Sequence, residues 1–297
     1  MQLRVGFATA LLALCTAAVP QVAGGGRIEL VQCLYSIPTI VGTHGDDVLL
    51  GTPRDDVIVG LAGDDVIYGD GGNDLICGGD GDDVIFSGLW LFESDAVSGD
   101  GGNDVMIAGA TMTTAVYEFS PGPVSVDLDA GTAAGWGDDK LAGVFNVVGS
   151  RYADRLRGSG QINCLYGLEG NDTLEGLAGD DCLSGDPGDD SLDGGAGNDL
   201  ISFAQVRSRM TVNLFEGSSR GEGHDRLASI ERVIGSSLRD VLTGDAGPNE
   251  LSGGGGADRM AGGPGMDRLD GGDGRDRVDG GVGRDRCLNA ELRTRCP

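Results

Sequence analysis

The sequence predicts an all-β fold, a parallel β-solenoid assembled from nine-residue repeats rich in glycine and aspartate. Three observations predict it: the nine-residue period, 56 glycines among 297 residues, and a content of only 5% aromatic residues. A chain of this composition lacks the side chains that fill an ordinary globular core. Stacked repeats that bury one thin apolar column need far fewer of them.

The repeating unit has the form Gly-x-x-Gly-x-Asp-x-apolar-x, and eighteen units can be counted. The first run has five contiguous units over residues 42–86 and a detached sixth at 99–107, and runs 149–202 and 235–288 have six units each. Every unit begins with glycine. The sixth place is aspartate in sixteen units and asparagine in two, Asn163 and Asn249.

Each unit is expected to form a turn followed by a short strand. Glycine in the first and fourth places allows positive φ, and the last three residues, often Val, Ile or Leu, suit a strand. Because side chains alternate along a strand, the eighth residue should face a thin core and the seventh and ninth should face outward. Two units should close one coil, so that units eighteen residues apart stack as parallel strands about 4.8 Å apart.

Two related inserts separate the runs. Residues 124–149 align without gaps to residues 210–235, so an insert plus six units has been duplicated. We expect the inserts to add longer rungs to the stack, with VSVDL and MTVNL as strands and the glycine-rich middles as protruding loops. The predicted organisation is a signal peptide at 1–23, an N-terminal cap segment at 24–41, the first run with its insert at 42–107, an insert rung at 108–148, the second run at 149–202, an insert rung at 203–234, the third run at 235–288 and a C-terminal cap at 289–297.

The N-terminus has the form of a secretory signal peptide. Arg4 precedes an apolar run from Val5 to about Val19, and small residues follow up to Gly26, as in signal sequences. The run is too short for a membrane span, so the sequence predicts a secreted, extracellular protein. Removal of Cys15 with the signal leaves six cysteines, which favours disulfides over reduced buried thiols in an oxidising compartment.

The acidic charge of the chain indicates a need for cations. Asp and Glu number 47 against 21 Lys and Arg, a formal charge of −26, which argues against nucleic acid as a partner. Stacking would bring sixth-place carboxylates of units two apart to about 5 Å, where they repel by about 3 kcal/mol at an effective dielectric of 20. Ca²⁺ would reverse the sign of this term, since it accepts about six to eight oxygen ligands in a tolerant geometry, whereas Mg²⁺ demands a smaller octahedron.

Two aspartates and turn carbonyls would hold each ion. Pairing units two apart gives three sites in the first run and four in each of the others, about eleven ions with about +22 of charge against −26. A single Gly-Asp turn would be better explained as an Asx-turn. In such a turn asparagine or serine would serve as well as aspartate, so aspartate in sixteen of the eighteen sixth places favours a bound metal. The predicted calcium ligands are Asp47, Asp56, Asp65, Asp74, Asp83, Asp104, Asp154, Asp172, Asp181, Asp190, Asp199, Asp240, Asp258, Asp267, Asp276 and Asp285.

Units such as Gly-Gly-Asp-Gly-Asp-Asp-Val-Ile-Phe at residues 78–86 resemble the haemolysin-type calcium-binding family of RTX nonapeptide repeats. The resemblance covers most of residues 42–288. It implies a right-handed parallel β-roll with Ca²⁺ held between successive turns, and the inserts resemble those beside the repeats of serralysin-like proteases. The chain departs from the family pattern at six places, which puts the calcium sites there in question: Arg54, Tyr152, Gln161 and Leu238 in the fourth place, and Asn163 and Asn249 in the sixth.

The cysteines fit the expected stacking. Cys164 and Cys182 both occupy the seventh place of units two apart, so they should lie side by side within disulfide reach. Cys287 and Cys296 are expected to close the C-terminal end, which leaves Cys33 to pair with Cys77. The sequence alone does not fix this connectivity.

The outward places differ in character between the runs. The first run has apolar residues there, such as Val48 and Leu50, whereas the third has charged residues such as Arg259. An exposed apolar stripe would call for a cover. We expect residues 24–41 or the Trp-Leu-Phe segment at 90–92 to cover it, and the alternative is a partner surface.

Catalysis is not predicted. The chain has only two histidines, His44 and His224, and no His-Glu-x-x-His zinc motif. Residues 217–221, Gly-Ser-Ser-Arg-Gly, match the nucleophile-elbow pattern, but no apolar helix follows, so we interpret the match as chance. We predict a non-enzymatic protein that binds calcium ions and folds with them at extracellular concentrations. The rival hypotheses are an adhesion or cell-surface interaction module and, least favoured, a hydrolase hidden in the inserts.

Overall fold

The computed structural model describes residues 33–88, 94–109 and 112–296. The predicted signal peptide and the first part of the N-terminal cap segment lie outside these residues. Within them every regular element is a β-strand, and the strands stack mainly in parallel. The all-β, parallel β-roll prediction is confirmed.

The chain divides into two compact units, and the first comprises residues up to Ala115 together with Asp139–Val144. Its strands form two faces, each built from parallel pairs. The strands of one face are Ile40–Val41, Val57–Ala62, Leu75–Asp80, Ala96–Gly101 and Thr114–Val116. The strands of the other face are Val48–Leu50, Val66–Tyr68, Val84–Phe86, Val105–Ile107 and Asp138–Ala142.

The second unit comprises Val116–Asp138 and the chain from Phe145 onward, and it also has two faces. The strands of one face are Asn146–Val148, Cys164–Tyr166, Cys182–Ser184, Leu200–Ser202, Arg232–Ile234, Glu250–Ser252, Arg268–Asp270 and Arg286–Leu288. The strands of the other face are Ser125–Asp127, Thr132–Ala134, Arg155–Arg157, Thr173–Glu175, Ser191–Asp193, Thr211–Asn213, Ser218–Arg220, His224–Ala228, Val241–Thr243, Arg259–Ala261, Arg277–Asp279 and Leu292–Thr294. Short pairs in the turns of the third run join Gly255–Gly256 to Asp273–Gly274 and Pro264–Gly265 to Val282–Gly283.

The register between neighbouring strands confirms that two units close one coil. Ile58 lies beside Ile76 on one face of the first unit, and Ile67 lies beside Ile85 on the other. Leu174 and Leu192 have the same relation in the second unit. Each of these partners is eighteen residues along the chain, as the nine-residue period predicts.

The eighth residues of the repeats form the core. All eighteen side chains are at most 9% exposed, which confirms their predicted inward direction. The typical strand has a buried middle residue between two more exposed neighbours, as alternation on a strand requires. The core residues are Leu49, Ile58, Ile67, Ile76, Ile85, Met106, Leu156, Leu165, Leu174, Leu183, Leu192, Ile201, Leu242, Leu251, Met260, Leu269, Val278 and Cys287.

The inserts contribute strands to the faces, as predicted, but their middles are not loops. Strand Ser218–Arg220 lies antiparallel between Thr211–Asn213 and His224–Ala228. The turn forms because the side chain of Asn213 accepts a hydrogen bond from the amide of Glu216 at 3.1 Å. Asp127 and Ala130 make the same Asx-type contact at 2.9 Å in the first insert. The expectation of protruding loops was therefore wrong, because the chain reverses tightly and adds a strand.

Three disulfides join the cysteines in the predicted pairs. Their Cα–Cα distances are 5.7 Å for Cys33 and Cys77, 4.6 Å for Cys164 and Cys182, and 5.8 Å for Cys287 and Cys296. Cys164 and Cys182 are directly opposite on parallel strands. The six cysteines of the described chain are all used in these bonds.

The apolar outer face of the first unit is open in the described structure. Val48 is 68% exposed and Leu50 is 64% exposed. Residues 33–41 do not cover these side chains, since the strand Ile40–Val41 pairs with the opposite face. The remaining predicted covers, residues 24–32 and Trp90 to Phe92, lie outside the described residues.

No helix with the length and apolar character of a membrane span occurs among residues 33–88, 94–109 and 112–296.

Candidate metal centre

The sixth-place aspartates form a ladder that links each coil to the next. The backbone amide of Asp65 donates to Oδ1 of Asp83 at 2.8 Å, and the amide of Asp172 donates to Oδ1 of Asp190 at 2.8 Å. The third run repeats the contact between Asp258 and Asp276 at 2.9 Å. The Oδ1 atom of each carboxylate therefore accepts a hydrogen bond from the preceding coil, and the Oδ2 atom needs a different partner.

That second oxygen has no hydrogen-bond partner in most of the repeats. Among the described residues, eleven sixth-place aspartates bury an Oδ2 atom that no donor contacts. A buried charged oxygen without a partner is costly, so each calls for a ligand or a proton. The eleven are Asp65, Asp83, Asp104, Asp172, Asp181, Asp190, Asp199, Asp258, Asp267, Asp276 and Asp285.

At most of these turns the first-place glycine lies close both to the Oδ2 atom and to a backbone carbonyl oxygen. A Cβ atom on Gly253 would lie 2.3 Å from Oδ2 of Asp258 and 2.5 Å from the carbonyl oxygen of Gly271. The same atom on Gly176 would lie 2.5 Å from Oδ2 of Asp181. Only the bare Cα of glycine therefore allows a carboxylate oxygen and a carbonyl oxygen from the next coil to converge.

Burial and neighbouring charges make these carboxylates difficult to ionise. Burial raises the pKa of Asp83 to about 7, and the carboxylates of Asp65 and Asp64 add to the effect. Burial likewise raises the pKa of Asp172 to about 7 and that of Asp258 to about 6, with the preceding ladder carboxylate as a further cause. The repulsion predicted between units two apart is thus present, although it is smaller than the effect of burial.

Four of the sixteen predicted ligands have their Oδ2 atom satisfied within the turn. Oδ2 of Asp56 accepts hydrogen bonds from the amide and the hydroxyl of Thr52, at 2.7 and 2.8 Å. Oδ2 of Asp240 accepts the same pair from Ser236. The other two are Asp47 and Asp154. Asp74 keeps the ladder contact, accepting from the amide of Asp56 at 2.9 Å.

Five acidic residues outside the repeats also join the ladder, and the repeat pattern missed them. Asp74, Asp104 and Asp190 donate their amides to carboxylates that lie 21, 35 and 35 residues ahead. Four of the five share a pattern that could have been detected in the sequence: the acidic residue stands two places before a buried apolar residue. The five residues are Asp95, Asp139, Asp225, Glu231 and Glu291.

The residues considered as catalytic candidates do not form a nucleophile–histidine pair. Ser219 of the nucleophile-elbow match is buried on a strand, and its hydroxyl donates to Oδ2 of Asp225. His224 lies on the next strand with an exposed side chain. His44 is exposed in a turn. Ser219 has no histidine partner to activate it, so the match does not indicate a hydrolase.

Side chains alone do not complete a metal centre in the described residues. No group of three or more His, Cys, Asp or Glu side chains converges there. The donors that the turns do bring together are carboxylate and backbone carbonyl oxygens, as the first-place glycines show. Hard oxygen donors of this kind suit Ca²⁺ rather than zinc or copper.

Comparison with known families gives the same interpretation. The family model of the RTX calcium-binding nonapeptide repeat (4 copies) matches residues 50–85, 93–110, 166–201, 234–265 and 256–287. The chain is a haemolysin-type calcium-binding repeat protein. The glycine-rich turns of the matched repeats hold the partnerless carboxylate oxygens. No curated protein matches the chain at a significant level.

The residues of this RTX repeat protein fit a calcium ion. Each ion would be held by Oδ2 of a sixth-place aspartate and by turn carbonyls such as that of Gly271. Calcium would supply the positive charge that allows neighbouring carboxylates to ionise inside the stack. The amide-to-Oδ1 bonds already orient these carboxylates, so little further ordering is needed when the ion binds.

Proposed function

We propose that the chain is a secreted, non-enzymatic calcium-binding β-roll whose folding is coupled to Ca²⁺. The observation that carries the proposal is the set of eleven buried Oδ2 atoms without a donor in the described residues. A protein that leaves so many charged oxygens buried is poorly stable on its own. Ligands that bind only the folded state supply the missing stability, about 2.7 kcal/mol for each site at a concentration of 100 times Kd.

The proposed sites follow the ladder. Each ion binds where the Oδ2 atom of one aspartate faces the coil that follows. Asp83 and Asp104 form an additional pair in the first run. This pair was not counted from the sequence, because the detached unit lies 21 residues ahead instead of eighteen. About one ion per partnerless oxygen gives a total close to the eleven expected from pairing units two apart, and its charge nearly cancels that of the chain.

Secretion is supported by the cysteines and by the N-terminal sequence. Three disulfides are characteristic of chains that fold in an oxidising compartment. Calcium is abundant there, and weak sites with Kd near 10⁻⁴ to 10⁻³ M (order of magnitude) suffice. The burial of Ser219 and the match to a calcium-binding repeat family support a non-enzymatic role.

Circular dichroism of the mature chain tests the coupling. We expect a β spectrum in 5 mM CaCl₂ (roughly the extracellular range), loss of most of that spectrum in excess EGTA, and its return when calcium is restored. MgCl₂ at the same concentration is the control, and it should not restore the spectrum. An unchanged β spectrum after complete removal of calcium would show that the fold does not depend on the ion.

A second candidate function is adhesion through the apolar face of the first unit. The exposure of Val48 and Leu50 favours it, and Tyr68 and Phe86 extend the face with stacked rings 4.8 Å apart. Large exposed apolar patches often mark interaction sites. Binding of the calcium-loaded chain to cell envelopes should fall at least tenfold in the double variant Val48→Lys, Leu50→Lys. Equal binding of the variant and the parent would exclude this face.

A further inference from the structure

The turns of the repeats fall into two classes that differ at the second residue. In six turns the amide of the second residue donates to the side-chain oxygen of the sixth, and we call these closed turns. Ser236 and Asp240 form one such pair at 2.6 Å, and Ser159 and Asn163 form another at 2.6 Å. The second residues of the closed turns are Thr43, Thr52, Ser150, Ser159, Ser236 and Asp245.

The side chain of the second residue holds the closed turn in place. The hydroxyl of Ser236 donates to Asp240 and accepts from the amide of Leu238 at 3.0 Å. The hydroxyl of Ser150 accepts from the amide of Tyr152 at 3.1 Å. Such contacts are typical of ST-turns, which short hydroxyl side chains favour. A closed turn therefore gives a side-chain oxygen of its sixth residue a hydrogen-bond donor without any ion.

The remaining twelve turns have the second residue in the left-handed region, and we call these open turns. Their φ values lie between 62° and 115°. Eleven of these turns carry the eleven partnerless Oδ2 atoms of the described residues, and the twelfth, that of Asp74, has the same backbone. The second residues of the open turns are Leu61, Asp70, Gly79, Asp100, Leu168, Leu177, Asp186, Gly195, Gly254, Gly263, Gly272 and Gly281.

Open turns are adopted even where they are strained. Leu168 and Leu177 have φ of 73° and 77°, a conformation that costs a residue with a Cβ about 1 kcal/mol or more. In these turns the second amide makes no hydrogen bond with the Oδ2 atom of the sixth residue. Strained backbone beside an unsatisfied buried oxygen indicates a site prepared for a ligand.

The two classes are not scattered along the chain. Closed turns are the first two units of every run, at residues 42–59, 149–166 and 235–252, and all later units are open. Because two units close one coil, every run begins with one coil that needs no ion. Every serine and threonine in the second place of a repeat belongs to these three coils.

We propose that serine or threonine in the second place makes a turn independent of calcium, so that each run begins on a coil that folds without the ion and seeds the calcium-dependent coils after it. This inference rests on the proposed function. It removes Asp47, Asp56, Asp154 and Asp240 from the calcium ligands and assigns the ions to the open turns. It also explains why departures from the fourth-place glycine occur in this part of each run.

A substitution at Leu168 tests the rule. Leu168 already has a Cβ, so Leu168→Ser introduces no crowding, and Leu168→Ala is the matched control that loses the same side chain without gaining a hydroxyl. Native mass spectrometry of the full mature chain in CaCl₂ should show one calcium fewer in Leu168→Ser than in the parent. Leu168→Ala should keep the parental number.

The outcomes separate the rule from the proposed function. A parent chain that binds no calcium contradicts the proposed function, whereas a parent that binds calcium and a Leu168→Ser variant with the parental number contradict only the second-place rule.

Hydrogen exchange of the parent in EGTA tests the seeds without any variant. Amides of residues 149–166 and 235–252 should exchange at least tenfold more slowly than those of 167–202 and 253–288. Equal exchange in the two groups would overturn the seeding.

Discussion

Replacement of Asp83 by asparagine should change stability in opposite directions with and without calcium. Burial, with the charge of Asp65 as a further cause, raises the pKa of Asp83 from 3.8 to about 7. Each pKa unit corresponds to about 1.4 kcal/mol, so the ionised carboxylate costs the metal-free fold up to about 4 kcal/mol. Allowing for relaxation of the turn, we expect Asp83→Asn to stabilise the metal-free chain by about 2–4 kcal/mol at pH 8.

The size of the effect in the metal-free chain depends on pH. The folded state keeps the proton of Asp83 up to about pH 7, whereas the unfolded chain releases it near the ordinary aspartate pKa of 3.8. The folded state therefore binds more protons in this window, and the stability of the metal-free fold decreases as pH rises through it. Asparagine removes this loss, so the advantage of Asp83→Asn should disappear near pH 4. In calcium the variant should be less stable than the parent, because it lacks a charged ligand.

Urea unfolding followed by circular dichroism measures these differences. The parent and the variant are compared in EGTA at pH 4 and pH 8, with sucrose in all samples to keep the metal-free chain measurable, and again in CaCl₂. Asp82→Asn is the control, because it removes the same formal charge from an exposed neighbour. The side-chain oxygen of Asp82 accepts a hydrogen bond from the amide of Asn103, and asparagine can keep this contact. The reasoning is refuted if metal-free Asp83→Asn at pH 8 is no more stable than Asp82→Asn.

Three further predictions concern protons, the core and the cross-links. Calcium affinity should fall as pH is lowered from about 7.5 to about 5.5, since burial raises the pKa of Asp172 to about 7 and protons then compete with the ion. Calorimetry that finds no proton release on calcium binding at neutral pH would contradict this. Leu174→Ala should destabilise the calcium-loaded chain by about 2–5 kcal/mol in urea, because Leu174 is fully buried, and a loss below about 1 kcal/mol would argue against a tightly packed column. The double variant Cys164→Ser, Cys182→Ser should lose about 3 kcal/mol, as expected for a closed loop of eighteen residues; unchanged unfolding in urea would show that the stacked strands alone hold this region.

The coil and its core could be predicted from the sequence because they depend on a period. Side-chain alternation and the eighteen-residue offset determine which residues face inward and which cysteines meet. The carboxylates of the open and closed turns could not be told apart in this way, since Asp56 and Asp65 stand in the same place of the repeat. The difference arises from the backbone of the second residue, where the hydroxyl of Thr52 closes one turn and the positive φ of Leu61 opens the other.

The inserts show a second limit of pattern reasoning. Asp225 joins the ladder 35 residues after Asp190, a spacing that no nine-residue period contains. The antiparallel strand Ser218–Arg220 accounts for the extra length. Its turn contains the hydrogen bond from the amide of Glu216 to the side chain of Asn213 and a backbone hydrogen bond from Gly217 to Leu214. Local contacts of this kind decide whether a glycine-rich segment becomes a loop or a strand.

The amide-to-carboxylate ladder gives the stack a polarity, because each coil donates its amides to the coil that follows. Shortening the chain from its N-terminal side would leave bare carboxylate oxygens, which water hydrates readily. Shortening it from the C-terminal side, before Glu291 receives the amide of Asp276, would leave that amide in the turn without its acceptor. Either cut also exposes the edge of a parallel strand, which can pair with other chains, so the two kinds of truncation product differ in the groups that their end turns expose.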